Sequence, residues 1–153
     1  PSRANFGIPR LSPPVTGIGL PGCGYSSEMR LYLHFMQENK RVKAEAEALR
    51  IGDFETFLKL IKESGDSSYK YLQNVYMNSD VEHQNVSLAL AVSDTVLGDE
   101  GVSRVHGGGF AGTIQAFVKN VAVDNYQRQM NRIFGEGACC VYYIRRCGGI
   151  KVL

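Results

Sequence analysis

From residue 27 onward the apolar positions follow two periods, and the change between them divides the chain. Over residues 27–49, Leu31, Phe35, Val42, Ala46 and Leu49 recur at helical spacing in a segment rich in Ala, Glu, Lys and Leu. That pattern predicts a long helix with those five residues on one face. Gly52 is placed to stop it. Asp53 can then cap a second helix, whose Phe54, Phe57, Leu58 and Ile61 fall at i, i+3, i+4 and i+7. Gly65 is expected to end this helix, ahead of a turn at Asp66, Ser67 and Ser68 and a short segment through Leu72 and Val75. A third helix is expected from an Asp80 cap to Leu97, closed by Gly98. Val81, Leu88, Val92 and Thr95 share one of its faces and Leu90 and Leu97 an adjoining one, so it should be the most buried.

Then the period shortens. Residues 102–105 are β-prone, glycines follow at 107, 108, 109 and 112, and residues 113–118 alternate on a two-residue period. Helical spacing returns over residues 120–134 through Val123, Tyr126, Met130 and Ile133, and Gly135 stops it. Residues 139–144 are β-branched and aromatic, which predicts a last strand. The order is helices, strand, glycine turn, strand, helix, strand. It defines an α+β domain with a small, mostly antiparallel sheet covered by helices on one face.

Residues 1–26 differ from the rest. They hold all five prolines, five glycines, Arg3 and Arg10, and no acidic residue. They read as a linker or arm, followed by a single domain over residues 27–153. The net charge of +2 belongs to that arm, because basic and acidic residues balance in the remainder. A neutral body lacks the footprint of nucleic-acid binding. No apolar run is long enough to span a membrane, and no export signal opens the chain. Cys23, Cys139, Cys140 and Cys147 make neither a metal nor a disulfide framework, so a reduced, cytoplasmic protein is expected. His34, His83 and His106 lie on three separate elements without carboxylates at metal spacing, so no metal site is expected.

Chemical character is concentrated in residues 101–113. Gly107, Gly108, Gly109 and Gly112 let the backbone take positive φ and approach a neighbour closely. The plain structural alternative is a tight hairpin with no ligand. Residues 107–112 fit G-x-G-x-x-G, but a strand pattern follows them where a dinucleotide fold needs a helix. His106 with the three glycines mimics a lipase oxyanion loop, yet no G-x-S-x-G elbow supplies a nucleophile. Tyr69, Lys70 and Tyr71 suit a turn packing its aromatics inward better than a base-stacking platform.

Residues 104–113, Arg-Val-His-Gly-Gly-Gly-Phe-Ala-Gly-Thr, resemble the third motif of the GHMP small-molecule kinases, and among these the galactokinases. His34-Phe35, residues 38–42 and residues 48–53 resemble the helix pair of that family, and residues 63–68 fall at its Ser-containing turn. His106, Ala111 and Thr113 stand where the family usually has Thr, Gly and Cys. The family's N-terminal and phosphate-loop motifs have no counterpart here, and its catalytic Asp and assisting Arg belong to the N-terminal half. The resemblance therefore implies the C-terminal, ferredoxin-like domain of a galactokinase-like enzyme, with an N-terminal kinase domain as its partner and no catalytic residue of its own. ATP with Mg²⁺ and a sugar are the implied cofactors and substrate of the whole enzyme. Gly107, Gly108, Gly109, Phe110, Ala111 and Gly112 would face the phosphate loop, and Ser67, Ser68 and His106 would lie on the substrate side. Residues larger than Ala at Gly108 or Gly109 should then lower turnover and spare the fold. Two alternatives are a stand-alone regulatory module that binds a metabolite, and an assembly domain whose exposed apolar cleft face drives homodimerisation.

Overall fold

A computed structural model describes residues 27–77, 79–110 and 112–143. Among the described residues four α-helices flank a two-stranded antiparallel sheet, an α+β arrangement consistent with a ferredoxin-like fold in general. The elements are α1 (Ser27–Ile51), α2 (Phe54–Ser67), α3 (Asn85–Leu97), β1 (Gly101–Val105), β2 (Ile114–Val118) and α4 (Val123–Phe134). Pairing runs from Gly101 opposite Val118 to Val105 opposite Ile114.

Helices cover both faces of this hairpin, where one covered face was expected. On one face Val102 and Phe117 pack on Ala48, Phe57 and Ile61 of α1 and α2, with the Phe57 and Phe117 rings edge to face at 5.4 Å. On the other, Ile114, Ala116 and Val118 meet Leu97, Tyr126 and Met130 of α3 and α4. Val105 is the least exposed core residue of the hairpin and joins Val75 and Val86 in a third cluster. A strand alternates its side chains between faces, so two short strands suffice to seed both layers.

The helix ends follow the expected chemistry at three glycines. Gly52 takes φ +76 beyond α1, and Asp53 N–H donates to the Ala48 carbonyl at 2.8 Å. Asp53 then caps α2 by accepting from Thr56 N–H at 3.0 Å. Gly98 and Gly135 close α3 and α4.

Gly65 does not end α2. The helix crosses β1 there, and a Cβ on Gly65 would stand 3.0 Å from Arg104 Cβ and 3.2 Å from the Ser103 carbonyl. This glycine serves close approach. The helix continues to Ser67 and widens into a π-helical turn, Ser68–Leu72, ended by Gln73 in the left-handed region at φ 52. Tyr69 on that turn is exposed, and Lys70 lies over the Tyr71 ring at 5.6 Å.

Three other expectations change. α3 begins at Asn85, because Asp80 closes a local turn by accepting from His83 N–H at 3.2 Å. Its buried residues are Val86, Ser93 and Leu97, while Val81 and Leu88 are exposed. Residues 139–143 form no strand. Asn131 Oδ1 accepts from Cys139 N–H at 2.8 Å and Gln127 Nε2 donates to its carbonyl at 2.9 Å, so α4 side chains take the bonds a ladder would have made. Residue 144 of that expected strand lies outside the described residues, as do residues 145–153 and 1–26.

The largest correction concerns α1. His34, Glu38, Arg41, Glu45 and Ala48 form its inward stripe, whereas Leu31, Phe35, Val42, Ala46 and Leu49 are exposed. The helix is turned roughly a quarter of a revolution from the orientation its apolar residues predict, at about 100° per residue. The physical reason is opposite it: α2 and β1 present Ser64 and Arg104, polar groups that a charged stripe can satisfy.

The sheet register generates a stability test. A Cβ on Gly101 would lie 2.5 Å from the Phe117 carbonyl and 3.1 Å from Leu97 Cδ2. Gly101→Ala is expected to cost about 1–3 kcal/mol, read from denaturant midpoints at an unchanged slope. A neutral result would mean the strands are not registered as described.

Candidate functional site

Two polar networks meet at the end of α2, and the glycine loop lies over one of them. Residues 106–113 connect β1 to β2. His106 N–H donates to the Thr113 carbonyl at 3.2 Å, closing the loop base next to the Val105–Ile114 pair. Gly107, Gly109 and Gly112 take φ of +62, +76 and +80. Phe110 does the same at φ 54 with its ring largely exposed. A non-glycine residue in this region is strained unless its surroundings hold it.

What holds it is Asn74. Phe110 N–H donates to the Asn74 carbonyl at 3.1 Å, and Asn74 Nδ2 donates to the Gly108 carbonyl at 3.1 Å. Ser68 Oγ donates to Asn74 Oδ1 at 3.3 Å. Asn74 is buried, and its main chain and Cβ occupy the space that a Cβ on Gly109 would need. Gly109 is thus required by both φ and close approach. Gly108 differs: a Cβ there meets nothing within 4 Å. This revises the expectation for substitutions, since of Gly108 and Gly109 the first alone can accept a larger residue without displacing its neighbours.

The second network lies on the inward stripe of α1. Ser64 Oγ and Arg41 Nη1 both donate to Glu38, and Arg104 Nη1 stands 3.7 Å from Glu38 Oε1. Three elements, α1, α2 and β1, therefore converge on one carboxylate, and Arg104 opens the glycine motif. His34 Nδ1 lies 3.0 Å from Ser67 Oγ. Burial holds the His34 imidazole below its usual range; Glu38 opposes that shift, and Arg41 and Arg104 add to it.

The expected site residues are thus divided. Ser68 and the glycine loop are brought together through Asn74, while Ser67 turns toward His34. Both serines are buried and engaged with protein. His106 is exposed at the loop base, and Ala111 lies outside the described residues. Asn74 carried no sequence signal beyond being a polar residue beside Val75. The Glu38 network had one: His34, Glu38, Arg41 and Glu45 recur at helical spacing as regularly as the apolar stripe beside them.

The described residues include no group of three His, Cys, Asp or Glu side chains able to hold a metal ion. No described helix is long and apolar enough to cross a membrane.

No family model matches the chain, and no solved structure matches it. Curated relatives do. The chain is 30% identical over 103 residues to the galactokinase of Thermotoga neapolitana, covering 67% of this chain and 27% of that protein. It is 30% identical over 106 residues to the galactokinase of Mannheimia succiniciproducens, covering 63% and 25%. For the galactokinase of Lactobacillus helveticus the identity is 29% over 110 residues, covering 72% and 26%. The chain spans about a quarter of the length of the curated relatives it matches. These matches support a distant homology to galactokinases.

One acid in the α1 stripe has a carboxylate oxygen with no hydrogen-bond partner among the described residues. Glu45 Oε1 is buried and makes no hydrogen bond to the described residues, and burial first, then Glu38, raises its pKa. A carboxyl whose folded pKa exceeds its unfolded value binds more protons when folded, so it weakens the fold as pH rises through that range. Glu45→Gln is expected to raise the unfolding midpoint, by more at about pH 8 than at about pH 4, where the acid is protonated. Thermal melts at the two pH values check this; a destabilisation equal at both would contradict it.

Proposed function

We propose that residues 27–153 form the C-terminal domain of a galactokinase-like enzyme that transfers the ATP γ-phosphate to a sugar hydroxyl, with residues 1–26 as the arm that precedes it. In this reading an N-terminal kinase domain supplies the catalytic residues and holds Mg-ATP, and this chain is one wall of the cleft. The observation that carries the reading is the combination of the motif over residues 104–113 with the shape of its loop. Gly108 presents bare backbone outward while Asn74 fills the space behind Gly109. Such a surface lets a second backbone approach closely, as a phosphate loop packed against it would need. The galactokinase matches point the same way.

The chemistry left to this chain is positioning. Phosphoryl transfer depends on holding donor and acceptor in line and on stabilising charge, and a wall displaced by about 1 Å can cost roughly 10²-fold in rate. The loop conformation is accordingly what this domain contributes. In this reading exposed His106 lies on the substrate side, and Ser67 and Ser68, buried and engaged with protein, act from behind the surface.

Gly108→Val is the direct test. In the complete enzyme it is expected to lower turnover by about 10²-fold. The melting temperature of this chain should stay unchanged, because the Gly108 position opens onto free space. Full sugar-kinase activity in that variant would overturn the reading. A metabolite bound tightly by this chain alone would favour a stand-alone binding module instead.

A further inference from the structure

We propose that Asn74 is the positioning residue of the glycine loop, fixing the conformation in which Gly108 faces outward; the catalytic consequence rests on the reading of this loop as one wall of a kinase cleft. Four observations converge on it. Asn74 is 3% exposed, so its amide competes with little water. Its side chain bonds in both directions, donating from Nδ2 to the Gly108 carbonyl and accepting at Oδ1 from Ser68 Oγ. Its own carbonyl takes the N–H of Phe110, the strained residue of the loop. Its atoms occupy the space beneath Gly109.

The orientation of the amide is fixed by its neighbours. A carbonyl can only accept, so Nδ2 must face Gly108, which leaves Oδ1 for the Ser68 hydroxyl. Gln73, left-handed at φ 52, ends the π-helical turn and swings the chain so that Asn74 points inward. The contacts grip Gly108 and Phe110 on either side of Gly109, all from behind. The front of Gly108 stays open, and the Phe110 ring stands beside it in solvent. Asn74 therefore decides where the outward surface of the loop lies, without touching anything that approaches it.

Asn74→Asp isolates this role. The carboxylate keeps the size of the amide and an acceptor for Ser68, but sets a second acceptor against the Gly108 carbonyl. Ser68→Ala is a milder second variant that frees Oδ1 and leaves the Gly108 bond. The readouts are hydrogen exchange of the Phe110 amide in this chain, compared with the β1 and α4 amides, and kcat and KM in the complete enzyme. Asn74→Asp is expected to lower protection of Phe110 by about tenfold or more, with β1 and α4 unchanged, and Ser68→Ala to act in the same direction by less. In the complete enzyme kcat should fall by about 10²-fold while the sugar KM moves little. Unchanged protection of Phe110 in both variants, or equal loosening of every element, would overturn the positioning role. A loosened loop with unaltered kcat would uphold Asn74 as the loop's positioning residue and overturn the kinase-cleft reading instead.

Discussion

Glu38 is the point on which the helical layer and the sheet depend. One carboxylate on α1 takes the Ser64 hydroxyl of α2, the Arg41 guanidinium one turn along its own helix, and the approach of Arg104 from β1. Ser64 is fully buried, and the Arg41 and Arg104 side chains are only 10% and 21% exposed. Charged groups removed from water this far must be partnered, and the partnering dictates geometry. α1 can lie on the domain in only one rotation if Glu38 is to reach both neighbours. That constraint outweighs the apolar stripe. Phe35 and Val42 remain 61% and 52% exposed as a result.

From that junction the glycine motif is held at three successive places. Arg104, its first residue, sits in the Glu38 network. The middle of the loop is gripped from behind through Asn74. The far end is closed by the His106–Thr113 bond and the strand register. α2 crosses β1 at Gly65, which brings the π-helical turn and hence Asn74 beneath the loop. A loop rich in glycine is costly to order, and here the order comes from the framework around it.

The sequence made some of this legible and concealed the rest for definite reasons. Gly52, Gly98 and Gly135 were readable as helix stops because a local rule, positive or otherwise non-helical φ just past a helix, applies to each. Gly65 obeys a tertiary rule, and a single glycine cannot announce which rule it follows. The β1–β2 hairpin was legible from its two-residue period. The last strand, expected over residues 139–144, is not formed in its described part, because the polar side chains of α4 compete for the same backbone groups. On α1 two stripes of equal regularity exist, one apolar and one charged. Burial preference favours the first, and only the presence of Ser64 and Arg104 on other elements selects the second. Ser67 and Ser68 were candidates only through the family resemblance of residues 63–68, and their burial behind the loop depends on the π-helical turn, which has no sequence signature. Asn74 was invisible for a similar reason, since its partners lie at Ser68 and, 34 residues away, at Gly108.

α1 and β1 are joined through the Glu38 carboxylate, so that helix rotation and the start of the glycine motif are coupled. A double-mutant cycle on Glu38→Ala and Arg104→Ala, read from denaturant unfolding of this chain, measures that coupling directly. Such a junction predicts an interaction energy of roughly 0.5–3 kcal/mol between the two substitutions. Additive effects, within about 0.3–0.5 kcal/mol, would contradict it.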